Sequence, residues 1–483
     1  MKFYKQFLIL LLIVAMSCKK SFLEVPDKTV LVRQAYVTDL KSTEEFLNGI
    51  YIELATTYLE GEFIIYPDII ADDIKPVSGS TSYAAHYGWA QLPNIDNSST
   101  LNPTSPNSNG SWYCGYRVIR DCDFIIESVG KYRKEDPEKA DDIKGQAYAI
   151  RALIHFFLVN TFAQPFNYTS GGTHLGIPYI TSSEWASPVS RQTVAEVYTN
   201  MISDLNSSFA LLAANPTDTR FMNINAARAL LARVYLFKGD YQNAKAVATS
   251  VGAQFPIMPV SSGYPDNIYK LLPPAQTESL FQLPPSTTAA PVSGRYSTFF
   301  AGYYFNTPVV CLATSDIATI LKENLQDTRN KWVLQSGTTW NIRKYPLNVD
   351  AGYPTPGSRS YYQTIIRSSE MFLIASESYA KTGNEDSARY YLDAIRKRAN
   401  PLAVTSTAAG TALMDSIYKE RRKEFCFEGI RMFDLLRTGK GVNRQDAPNP
   451  AAKTLPYPSD KAIAPIPNQD VQLSGLTQNQ GYN

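Results

Sequence analysis

Two stretches of this chain use the same device twice, and they constrain its folding more than any other feature. Leu230 to Ala244 reads L-L-A-R-V-Y-L-F-K-G-D-Y-Q-N-A, and Leu373 to Ala388 reads L-I-A-S-E-S-Y-A-K-T-G-N-E-D-S-A. Tyr235 precedes Gly239 by four residues, as Tyr379 precedes Gly383, and Ala244 and Ala388 each lie five residues further on. Glycine supplies a left-handed helix stop, Asp240 or Asn384 caps the next helix, and the small alanine permits a close helix crossing. Each stretch therefore predicts two antiparallel helices. A single such pair cannot bury its apolar face alone, so neighbouring helices must stack on it.

Both segments resemble tetratricopeptide helix pairs. Arg151-Ala152-Leu153-Ile154 echoes Arg228-Ala229-Leu230-Leu231 and points to a further pair. Periodicity elsewhere agrees. Leu47, Ile50, Tyr51 and Leu54 share one face between Leu40 and Tyr58, and Asp136-Pro137 caps a helix that buries Ala147, Ile150, Ile154 and Leu158. Another helix runs from Thr193, with Val197, Met201 and Leu205 on its apolar side. Strand-like alternation is sparse. The fold class is mainly α: tetratricopeptide-like helix pairs forming a scaffold, with long irregular loop insertions near 61–111 and 255–365. Structureless loops of that length are uncommon, and the many aromatics in these two argue against disorder.

The amino terminus carries Lys2 and Lys5 and then an apolar run from Phe7 to Ala15, too short to cross a bilayer. Residues 1–17 read as a signal peptide, and Ala15-Met16-Ser17-Cys18 resembles a bacterial lipobox. Cys18 is then the lipidated first residue of the mature chain, with residues 18–36 as anchor and tether. Two regions follow, 37–255 and 256–483, each with one insertion, forming one structural unit. The other cysteines are Cys114, Cys122, Cys311 and Cys426. Eight residues of helix separate the first two by about 12 Å, too far for a disulfide. Their spacing matches no zinc motif, so all four read as small buried hydrophobes.

A formal net charge of +2, from 46 Lys plus Arg against 44 Asp plus Glu with no long block of one sign, excludes a nucleic-acid footprint. An enzyme would need an apparatus that is missing. There is no H-E-x-x-H, G-x-S-x-G, Walker loop or strand-linked G-x-G-x-x-G, and of the three histidines His155 sits in a packed helix. Asp72 and Asp73 are the tempting glycosidase pair, but adjacent residues of extended chain point apart, which leaves them capping or ligand-positioning roles. No metal and no cofactor is expected.

Glu420 to Arg437, E-R-R-K-E-F-C-F-E-G-I-R-M-F-D-L-L-R, resembles the signature helix and turn of the SusD/RagB family. The ending P-I-P-N-Q-D-V, Pro465 to Val471, with Q-N-Q-G-Y, Gln478 to Tyr482, is similar to that family's tail. With the lipobox and the helix pairs, the resemblance spans the mature chain. It implies a nutrient-binding lipoprotein of the outer membrane, facing the exterior. Such a protein captures oligosaccharides, or in some members peptides, and passes them to a SusC-like TonB-dependent transporter. No catalysis is implied. Arg421, Glu424, Glu428, Arg431, Asp434 and Arg437 recur at helical spacing among apolar residues, a pattern for buried, paired charges.

Glycan capture needs aromatic faces and a few placed polar groups. Tyr83, Tyr87, Trp89, Trp112 and Tyr113 stand in or beside the first insertion among Asn94, Asn97, Asn102 and Asn107. Tyr296, Phe299, Phe300, Tyr303, Tyr304, Phe305, Trp332 and Trp340 stand in the second. The ligand-binding candidates are Tyr83, Tyr87, Trp89, Trp112, Tyr303, Tyr304 and Trp332. A protein-interaction adaptor built on the helix pairs is the competing class, but it would not need two long aromatic insertions.

Overall fold

Six of the frame helices begin where a short polar side chain, Asp39, Asp136, Thr193, Asn223, Asp240 or Asn384, replaces a missing backbone partner. The computed structural model describes residues 33–55, 63–77, 83–92, 110–184, 189–213, 218–269, 278–283, 311–345 and 363–482. Asp39 accepts from the Ser42 amide at 2.7 Å to open α1 (Leu40–Glu53), and α2 (Phe63–Ile69) follows. The long α3 (Ser111–Ser128) carries both Cys114 and Cys122. Asp136 accepts from the Lys139 amide at 3.1 Å to open α4 (Pro137–Phe162), and Thr193 forms a capping box with Glu196 to open α5 (Val194–Phe209).

The repeated device folds as its residues dictate. α6 (Ile224–Lys238) ends at Gly239, φ +79°, and Asp240 caps α7 (Tyr241–Gln254). After α8 (Ser315–Lys322), α9 (Ser368–Lys381) reaches Gly383 at φ +83°, where Asn384 caps α10 (Glu385–Ala399). Successive helices from α3 to α7 pack side by side, and α7 packs directly on α9. The chain between α7 and α9 thus leaves the stack and returns to the same place. The signature segment forms α11 (Gly410–Phe425) and α12 (Arg431–Arg437), with α11 packed on α9 and α10.

The insertions are more regular than their sequence predicts. β1 (Ile74–Pro76) lies in the first, while β2 (Ser279–Leu283), β3 (Cys311–Ala313), β4 (Val333–Ser336), β5 (Thr339–Ile342) and β6 (Gln363–Arg367) come from the second. A four-stranded antiparallel sheet runs in the order β1-β3-β5-β4, with Ile74 opposite Ala313 and Pro76 opposite Cys311. The two insertions are therefore one layer joined by strand pairing. β2 pairs with β6, closing the second insertion at its base. The strands escaped sequence reading because β2, β3 and β6 are buried at every position, which erases the alternation a half-exposed strand shows.

Cys114, Cys122, Cys311 and Cys426 are buried free thiols, as expected of small core residues. Among the described residues no helix is long and apolar enough to cross a membrane. The signal segment, Cys18 and most of the tether lie outside the described residues.

Candidate functional site

The signature helix buries its charges because other segments bring partners to it. Glu424 is fully buried and accepts from Arg329 at 2.9 Å, Arg367 at 2.6 Å and Arg398 at 2.7 Å. Burial works to raise its pKa, but the guanidinium groups of Arg398, Arg367 and Arg329 outweigh it and hold the carboxyl well below its ordinary range. Glu278 accepts from Arg367 and Arg398, both at 2.8 Å, and Glu428 from Arg367 and Lys344. Beside this cluster, Arg421 pairs with Asp434 at 2.8 Å, and Arg437 pairs with Asp434 at 2.7 Å and with Glu377 at 2.6 Å. All six signature charges are paired. The motif is a structural lock, built by an α11–α12 corner whose turn holds Phe427 at φ +66°.

The tempting acid pair is part of that lock. Asp72 takes two hydrogen bonds from Arg431, at 2.6 and 3.0 Å, and Asp73 takes one from Arg422 at 2.8 Å. Burial opposes the charge on Asp72, yet Arg431 and Arg422 hold its pKa down to about 2. Burial dominates at Asp73 and raises its pKa. Neighbouring Asp68, buried as well, accepts from the amides of Gly429 and Arg431. The ligand-positioning role expected for Asp72 and Asp73 is corrected: they dock the first insertion onto the signature corner.

The aromatic candidates need the same correction at five positions. Tyr83, Tyr87, Trp89, Trp112 and Trp332 keep only 1 to 9% of their surface, too little for a sugar ring to stack on. Tyr83 stands at the start of the short helix Ala84–Tyr87 with φ +64°. Tyr87 and Trp89 face the guanidinium of Arg444, whose charge is met by the carbonyls of Ile69, Ala71, Tyr87 and Ala452. Trp112 packs edge-on against Tyr116 and Phe162. Trp332 lies 4.1 Å beneath the ammonium of Lys344. Tyr87, Trp89, Trp112 and Trp332 are enclosed with a cation or an aromatic neighbour against the ring. Tyr303 and Tyr304 lie outside the described residues.

Sequence reasoning missed Arg329, Arg367, Arg398, Glu278 and Arg444, since they come from separate segments with no shared spacing. Among the described residues no three His, Cys, Asp or Glu side chains are placed to hold a metal ion.

Two family profiles match this architecture. Residues 22–236 match the one described as starch-binding associating with outer membrane, and residues 319–482 match the SusD family. The chain belongs to the SusD/RagB family. SusD-like protein P2 of Formosa agariphila is 22% identical over the full length of both chains. A candidate sugar binding protein from Bacteroides vulgatus is 27% identical with a TM-score of 0.80, covering 93% of this chain and 100% of that one. A SusD superfamily protein from Bacteroides thetaiotaomicron is 26% identical, again at 0.80, covering 92% and 100%. The SusD/RagB family is one of carbohydrate-binding, outer-membrane-associated proteins, and the mainly α architecture with paired signature charges is its frame in this chain.

Proposed function

We propose that this protein captures oligosaccharides outside the cell, held to the outer membrane by lipid on Cys18, and delivers them uncleaved to a SusC-like TonB-dependent transporter. The SusD-type frame, matched over residues 22–236 and 319–482, carries this reading. The neighbour described as a candidate sugar binding protein supports the substrate class. Non-cleavage is supported by the chemistry of Asp72 and Asp73, the acid pair singled out above, both occupied by arginine. With five candidate rings enclosed, this reading rests its stacking surface on Tyr303 and Tyr304 of the second insertion.

Calorimetry of the purified protein with a glycan panel and with tryptic peptides tests the reading. Binding of one glycan class is expected, and alanine at Tyr303 or Tyr304 weakens it by about 1–3 kcal/mol. Retention of peptides with no glycan bound would replace the substrate class, and accumulating reducing ends would make the protein an enzyme.

A further inference from the structure

Helices α8, α11 and α12 enclose a cleft of about 190 Å3, room for roughly six waters. Six basic side chains line it, Lys419, Arg421, Arg422, Arg431, Arg437 and Lys440, against the carboxylates Asp415 and Asp434. The four arginines have acid partners, and Lys419 pairs with Glu323 at the surface. Two observations exceed this pairing. Arg421, its side chain only 2% exposed, has an Nη1 with no acceptor among the described residues. Lys440, on the exposed rim, meets no carboxylate among the described residues, and its Nζ stands 4.9 Å from the centre of the Tyr418 ring.

The exposed Lys440 ammonium, without a carboxylate on the rim of a cleft, wants an acceptor that carries a negative charge. The partly exposed Tyr418 adds an aromatic surface on the same wall. Asp72 and Asp73, which hold Arg431 and Arg422, immediately precede β1, and Ile320 of the cleft lies on the helix that follows β3. The cleft therefore borders the place where the two insertions pair.

We propose that this cleft receives an anionic group, a carboxylate or sulfate ester, carried on the saccharide that the protein captures. The inference rests on the capture reading for its ligand, and deepens it to acidic or sulfated glycans.

The test uses the full chain in detergent and chloride buffer at low ionic strength. Calorimetry compares oligogalacturonate, a sulfated galactan oligosaccharide, a neutral galactan oligosaccharide and sodium sulfate alone, on wild type and Lys440→Glu. A charged oligosaccharide is expected to bind about ten-fold tighter than the neutral one, the worth of one charge-assisted hydrogen bond, and the gain should vanish in Lys440→Glu. Neutral binding should be the same in both proteins. Equal affinity of wild type for charged and neutral oligosaccharides overturns the cleft assignment while leaving the capture reading intact. So does a charge preference that survives Lys440→Glu. If no saccharide binds but sulfate alone does, and Lys440→Glu abolishes this, the capture reading fails and the anion site stands.

Discussion

The guanidinium of Arg444 lies 4.3 Å from the centre of the Trp89 ring, a contact that ties the first insertion to the carboxy-terminal segment. Arg444 is fully buried, and its charge is met by four backbone carbonyls and by the rings of Trp89 and Tyr87. Burial lowers its pKa to about 10.

Arg444→Met keeps the side-chain stem but leaves those carbonyls without their donor. A loss of about 3 kcal/mol in urea unfolding is expected. Trp89→Ala should cost about 3–5 kcal/mol by leaving a cavity over the cation, with little change in glycan affinity per folded molecule. A Trp89→Ala protein that melts like wild type but no longer binds glycan would show that the ring is a ligand contact.

Glu424, fully buried, accepts from three guanidinium groups. Glu424→Gln keeps its shape and removes its charge, so stability should fall by about 3–5 kcal/mol. At the edge of the lock, Glu428→Ala and Arg431→Ala should each cost about 1–4 kcal/mol, in Glu428→Ala without a selective effect on binding. Unchanged unfolding of Glu424→Gln together with lost ligand affinity would turn this lock into a binding site.

His155 donates from Nδ1 to the Arg151 carbonyl at 2.9 Å and stacks on Tyr179 at 3.8 Å. Burial lowers its pKa to about 3, and that of His86 to about 4. Both are neutral in the fold, whereas the unfolded chain takes up their protons near pH 6.5. Their contribution to stability is complete above that pH and is lost as the pH falls toward the folded values. Between about pH 7 and pH 5 each should forfeit about 2 kcal/mol. In His155→Gln the loss across this interval should shrink by that amount, and an unaltered slope would rule the histidine out as its source.

Cys18→Ala should free the protein from membranes without detergent, because a diacyl anchor is its proposed attachment. Fractionation of cells producing the variant checks this. Continued sedimentation with the outer membrane would show that something other than lipid holds it.

The helix pairs were legible in the linear chain because their determinants are local. Gly239 and Gly383 stop a helix, and Asp136, Thr193, Asp240 and Asn384 start one, whatever lies across the fold. The paired nature of the signature charges was legible too, from charges recurring at helical spacing in an apolar run. Their partners were not: Glu424 meets Arg329, Arg367 and Arg398 only because α11, β6, α10 and the turn before β4 converge. Nor could spacing tell an enclosed ring from an offered one. Trp89 and Trp332 stand among loop residues and Trp112 at a helix start, and only the cation or ring set against each one decides that it packs. Local backbone chemistry thus determined the frame, while long-range pairing of buried charges determined which of its surfaces stay open to a ligand.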